Sequence, residues 1–232
     1  MLSLTPEQWG ELGQGALTTL GLTVFSLVVG FGLALLGALG RRSANALARA
    51  VAGTYVEALR NTPFFVQLLF LFFGLPTLGV QLTELQAAAL AMTLNLGAYA
   101  TEIVRAGLDA VPRGQSEAAA SLGLSFAQRF GLVVLPQALT VAIAPTVGFL
   151  VQVVKGTALT AIIGFMDLTK TGTVIANTTF EPLKVYGLVA LLYFALCFPI
   201  SLASRALERR LTNRTRRAVA RKAAPGLMSN AT

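Results

Sequence analysis

Gln115-Ser116-Glu117-Ala118-Ala119-Ala120-Ser121-Leu122-Gly123, running on through Gln128 and Phe130 to Leu135-Pro136-Gln137-Ala138-Leu139, is the longest soluble-looking run between two strongly apolar segments. It therefore belongs at a membrane face. Its three alanines favour helix and let another backbone come close. Gln115 and Glu117 offer hydrogen bonds and a charge. Gly123 allows a sharp turn without a Cβ penalty. Pro136 can sit near the start of the next helix, where the missing N–H costs little. Physics alone leaves two readings open here: a docking element for a partner, and an ordinary amphipathic loop helix.

Outward from this stretch the chain is apolar. Of its 232 residues 55% are hydrophobic and 12% charged, against about 25% charged in an ordinary soluble domain. The mean hydropathy is +0.70. A membrane helix needs about 20 mostly apolar residues. Five runs qualify, at 16–39, 56–75, 85–104, 132–153 and 185–203. The expected fold is all-α, a polytopic membrane bundle of five helices. No gap holds a soluble domain. The expected organisation is an external segment at 1–14, a transmembrane unit at 15–205 with a cytoplasmic coupling loop at about 106–131, and a basic tail at 206–232. Residues 1–14 carry Glu7 and Glu11 but no Lys or Arg, so no cleaved signal peptide is expected. The loop 156–184 is long and mixed, and its short apolar segment Ile162-Ile163-Gly164-Phe165-Met166 reads as a re-entrant or interfacial element facing outside. The end of the tail, 225–232, reads as disordered.

Orientation follows from charge. Fifteen of the eighteen basic residues fall on one side, in the first loop, the 106–131 loop and the tail; only Lys155, Lys170 and Lys184 fall on the other. The positive-inside rule then places the N-terminus outside and the C-terminus in the cytoplasm. The net charge of +8 is concentrated in the tail, which reads as a topology determinant touching membrane lipid, with no nucleic-acid partner.

Some chemistry is excluded. There is no histidine and one cysteine, Cys197, so Ser–His dyads, His or Cys metal sites and an intrachain disulfide are ruled out. No metal site and no catalytic residue is expected. Ionisable and amide groups inside apolar spans are costly and so become candidates. Glu57 and Arg60, and Glu102 and Arg105, sit three apart and could pair. Asn95 and Tyr99 share a helical face, Gln67 lies inside the second run, and Gln152, Lys155, Gly156 and Thr157 close the fourth. With Asn61 these are the candidates for a solute pathway. Lys155 could equally snorkel to the interface, and the amides could simply join helices.

Glu117-Ala118-Ala119, then Gly123, then Leu135-Pro136, resembles the EAA motif of permease subunits of ATP-binding-cassette importers. Glu57-Ala-Leu-Arg60-Asn61-Thr62-Pro63-Phe-Phe-Val-Gln67 and Ala98-Tyr99-Ala-Thr-Glu102-Ile-Val-Arg105 are similar to the branch serving histidine, glutamine, glutamate and arginine. The resemblance covers about residues 10 to 210. It implies a type I importer permease fold and a multi-pass protein of the plasma (inner) membrane. It also implies a short coupling helix, with Gln115, Glu117, Ala118, Ala119, Ser121, Leu122 and Gly123 docking on an ATPase. The implied partners are an ATPase dimer that binds ATP and Mg, a second permease copy or close paralogue, an external substrate-binding protein and an amino acid substrate. No cofactor is implied on this chain, which carries no phosphate-binding loop of the G-x-x-x-x-G-K-[ST] kind.

Many relatives have an acid where this chain has Gly156, and the fourth run carries no acid. A buried cationic side chain wants a counter-charge, so a neutral or acidic amino acid is expected as substrate. A basic amino acid moved by the same mechanism is the alternative. A secondary transporter, a channel and an intramembrane enzyme are the competing classes.

Overall fold

The computed structural model describes residues 4–223, with side chains to residue 209. The expected disordered end at 225–232 lies outside the described residues. Four helical stretches, Pro6–Arg41, Glu84–Asp109, Phe126–Ile163 and Pro182–Arg209, are long and apolar enough to cross a membrane, and a bent pair makes a fifth if counted as one. Among the described residues there is no strand.

Helix α1 (Pro6–Arg41) starts at a capping box. Thr5 accepts from Gln8 N–H while the Gln8 side chain reaches back, and Pro6 needs no N–H partner in the first turn. Its 36 residues extend to about 54 Å at 1.5 Å per residue. Residues 6–14, expected as a separate external segment, are its first turns. Helix α4 (Glu84–Asp109) opens with the same device on Thr83 and Gln86.

These two helices pack through small residues. On α1 the buried positions Ser26, Gly30, Ala34, Gly37 and Ala38 form one stripe. On α4 they meet Thr93, Leu96, Gly97 and Thr101. In lipid, helices gain little from hydrophobicity, so association comes from close backbone approach and interhelical hydrogen bonds. Thr101 Oγ1 donates to Gly97 O at 2.7 Å, with Ala34 O across the seam at 3.5 Å.

The second expected span, 56–75, is not one helix. Helix α2 (Ala46–Arg60) ends at Asn61, and α3 (Phe64–Leu69) continues through a π turn, Phe70–Gly74, into a 3-10 turn, Leu75–Leu78. The two halves are bent by 106°. Pro63 is the cause: its ring disfavours helical geometry at Thr62, and it removes a donor from the ladder.

Helix α5 (Arg113–Ser121) is followed by a turn at Gly123, whose φ of +79° only glycine adopts without strain. Helix α6 (Phe126–Arg129), capped by Ser125 and Gln128, leads through a π turn, Phe130–Val134, into α7 (Leu135–Thr157). Pro136, expected near a helix start, is the second residue of α7, which follows the π turn without a break. Leu135 N–H reaches back five residues to Phe130 O, and this wider turn absorbs the register change where Pro136 lacks an N–H. The same arrangement, Leu75 N–H to Phe70 O, precedes Pro76.

Beyond a 3-10 turn at Ala158–Ile163, α8 (Leu168–Thr179) is too short to cross a bilayer. It buries Leu168, Ile175 and Ala176 against Leu12 of α1 and Val185, Leu188 and Val189 of α9 (Pro182–Ala223). Its cap, Asp167, is fully buried, accepting from Lys170 N–H at 2.8 Å and the Tyr193 hydroxyl at 3.0 Å. Burial pushes this carboxyl above its ordinary value, and those hydrogen bonds pull it part of the way back.

Gly107 marks where α4 meets α7. A Cβ there would lie 2.6 Å from Ala138 O, whereas one at Gly187 would meet nothing within 4 Å. Gly107→Ala is expected to destabilise the protein by about 1–3 kcal/mol, read as a lower melting temperature in detergent. Gly187→Ala should be neutral or stabilising by up to about 1 kcal/mol. Equal melting temperatures for the two variants would contradict this packing.

Candidate functional site

Two helical faces with identical spacing enclose a cavity of about 620 Å³. Met92, Asn95, Leu96 and Tyr99 come from α4; Phe149, Gln152, Val153 and Gly156 come from α7. Each set follows i, i+3, i+4, i+7, one side of a helix. The break between α2 and α3 contributes Thr62, Pro63 and Phe64, and Lys155 and Leu159 complete the wall. The Tyr99 and Phe149 rings stack at 5.3 Å. The Arg60 guanidinium sits 5.6 Å from the Tyr99 centroid, and the Tyr99 hydroxyl donates to Arg60 O at 3.3 Å.

Of the pathway candidates, Asn95, Tyr99, Gln152, Lys155 and Gly156 line this cavity. Asn61, Gln67 and Thr157 do not. Asn61 caps α2, donating to Glu57 O at 2.8 Å. Thr157 is fully buried and donates to Val154 O. Gln67 closes the broken span: its Nε2 donates to Leu59 O at 2.7 Å and Thr62 O at 3.0 Å. Its Oε1 accepts from Asn95 Nδ2 at 3.0 Å. The break exposes carbonyls that a membrane cannot hydrate, and this amide answers them. Thr62, Pro63 and Phe64 were missed as lining residues, although Pro63 is the signal that breaks the span there.

Among the described residues the cavity wall contains one cation, Lys155, and no carboxylate. Glu102, one turn from Tyr99, is occupied elsewhere. It pairs with Arg105 at 2.8 Å, Arg41 at 3.4 Å and Arg60 at 3.9 Å. The expected Glu57–Arg60 pair does not form. Glu57 turns to Arg41 at 3.5 Å, and Arg60 turns to Glu102. Both reach across to other helices, because the bend after Arg60 swings the helix end over α4. Asp109 extends the network to Arg105 and Arg42.

The second candidate region is α5. Gln115, Glu117, Ala118, Ser121, Leu122 and Gly123 are exposed, while Ala119 is turned into the chain's own body and is 4% exposed. Leu122 and Phe126 present large apolar surface beside the turn. The Gln115 and Gln137 side chains approach to 3.5 Å.

The sequence matches, over residues 14–213, the family described as "binding-protein-dependent transport system inner membrane component". It is 37% identical over 204 residues to the L-cystine transport system permease protein of Bacillus subtilis (strain 168), covering 88% of this chain and 87% of that one. It is 32% identical to the arginine transport system permease protein of the same organism, covering 90% and 96%. A solved structure described as an amino acid ABC transporter with histidines superposes with a TM-score of 0.81 at 33% identity, covering 88% of this chain and 95% of that one.

The Gln67 amide yields a test. Gln67→Leu strips partners from Leu59 O and Thr62 O, and should cost about 1–3 kcal/mol of stability. Limited proteolysis should then cut near residues 61–63 before other sites. A variant as protease-resistant as the parent would mean the break is held by something else.

Proposed function

This chain belongs to the family of binding-protein-dependent transport system inner membrane components, and from that premise we propose that it is the permease subunit of an ATP-driven importer for a neutral or acidic amino acid. Its place is the inner membrane, with ATP hydrolysis carried by a partner subunit. The observation that carries the substrate reading is the cavity wall: one ammonium, Lys155, and no carboxylate. Lys155 suits the α-carboxylate that every amino acid bears. Asn95, Gln152 and the Tyr99 hydroxyl offer neutral oxygens to the α-ammonium. A second cation on the substrate side chain would enter without a counter-charge, which is costly in a low-dielectric site. The relatives named above carry both L-cystine and arginine in their names, so support for this reading comes from the cavity chemistry alone. A basic amino acid remains the alternative substrate.

Coupling rests on α5. An ATPase dimer holding ATP and Mg docks on its exposed face, Gln115, Ala118 and Leu122, beside the Gly123 turn. Ala119 anchors the helix to the permease instead of facing the partner. The N-terminus lies outside and the C-terminus in the cytoplasm, following the distribution of basic residues. A second copy or close paralogue completes the pathway, an external binding protein delivers the solute, and the helices alternate between outward- and inward-open states.

Gly156 has open space around its would-be Cβ, so an acid fits there. In proteoliposomes holding the complete transporter, Gly156→Asp should raise the arginine-to-glutamine uptake ratio roughly tenfold. A parent that already prefers arginine would overturn the substrate reading. Uptake without ATP would instead point to a secondary transporter.

The exposed position of Ala118 gives a separate test. Ala118→Asp should reduce ATPase co-purification while leaving the permease monodisperse. Ala119→Asp should destabilise the permease itself, because a buried unpaired carboxylate is costly. Unchanged ATPase recovery with Ala118→Asp would move the docking site away from α5.

A further inference from the structure

A second cavity, of about 730 Å³, lies between the end of α1, the inward side of α5 and the α6–α7 entry. Its polar wall holds Arg42, Arg113, Arg129, Ser116 and Glu117, and its apolar wall includes Leu39, Phe130 and Val134. Arg42 is paired with Asp109. Among the described residues Arg113 and Arg129 have no carboxylate within ion-pair distance. Arg129 Nε is sealed from solvent without a hydrogen-bond partner, and its guanidinium lies 6.0 Å from the Phe126 ring centroid. A buried guanidinium N–H without an acceptor is costly, and a planar fork of donors matches phosphate oxygens.

We infer that this cavity binds the phosphate headgroup of an anionic phospholipid, with Arg113 and Arg129 as the ligating pair and the Leu39–Val134 wall holding the start of an acyl chain. The joining of cationic and apolar walls is what such an amphiphile requires. Leu36 and Leu132, within three residues of Leu39 and Val134 in the chain, are exposed. Its α5 lining residues, Arg113, Ser116 and Glu117, follow i, i+3, i+4 on one side of that helix, and Ala118 and Leu122 are not among them. That separates it from the face assigned to the ATPase. Glu117 tempers the positive charge, which favours a phosphodiester carrying a single negative charge. From the proposed function the inference takes only the placement of this face at a membrane surface.

The test is lipid retention by native mass spectrometry on the chain purified with its co-expressed partners, after exchange into detergent with phosphatidylglycerol or phosphatidylcholine. Phosphatidylglycerol should stay bound and phosphatidylcholine should not. Arg113→Gln/Arg129→Gln should reduce phosphatidylglycerol retention roughly tenfold, and Lys184→Gln, a control distant from this cavity, should not. Arg113→Gln alone, at an exposed position, should still show a loss if the double variant fails to fold. Equal retention of the two lipids, or full retention by the arginine variants, overturns the proposal. A melting-temperature rise with inorganic phosphate but no lipid retention assigns the site to a free anion and also overturns it. So does loss of the ATPase from the arginine variants with lipid retention unchanged. A chain that retains phosphatidylglycerol but never carries an ATPase would undo the importer reading and leave the lipid site standing.

Discussion

The close seam between α1 and α4 is the constraint from which the rest of the structure follows. Gly30, Gly37 and Gly97 sit where a Cβ would run into the neighbouring helix at under 3 Å. In an apolar solvent such contact is what holds helices together. Because the seam uses Thr93, Gly97 and Thr101, the adjoining side of α4 carries Met92, Asn95 and Tyr99 into the cavity, and Leu96 sits at the boundary, touching both. The same helix then receives α2 through Tyr55, whose hydroxyl donates to Leu94 O at 2.8 Å, and α7 at Gly107.

Polar groups in this protein serve two distinct needs. Gln67 and the two π turns satisfy backbone that proline has disrupted, since unhydrated carbonyls and amides are costly inside a membrane. The Arg41, Arg60, Arg105 and Glu102 cluster, by contrast, is made of side chains that have found one another across three helices. Glu102, one turn from Tyr99, is engaged with three arginines, and Lys155 is the charged side chain among the described lining residues. On the proposed substrate reading, the charge of the cavity would depend on a network that does not line it.

The helical spans were legible because 18 or more apolar residues leave few alternatives, and the Glu117-Ala118-Ala119 segment stood out against that background. The face Asn95–Tyr99 was legible through its period. What the sequence hid were effects of tertiary geometry. A run such as 56–75 looks continuous because hydropathy does not register the turn forced by Pro63. Glu57 and Arg60 have the spacing of a pair, yet each meets its partner on another helix. Ala119 reads like its neighbour Ala118, and only the packing of α5 separates an inward residue from an outward one. Pro136 does stand at the start of α7, but the π turn that joins it to α6 leaves no mark in composition.

The stretch from Phe126 to Ile163 is unbroken, and it begins one short turn after Gly123. Its far portion carries Phe149, Gln152 and Lys155. From Phe126 to Lys155 it measures about 44 Å at 1.5 Å per residue. It is therefore a lever arm whose short end lies beside α5. A tilt of about 5° about that end displaces the cavity wall by roughly 4 Å, comparable to the width of a carboxylate. The π turn at 130–134 and Pro145 sit along the arm as points of compliance. Under the proposed coupling at α5, they would set how much of a rotation reaches the cavity wall and how much is lost in bending.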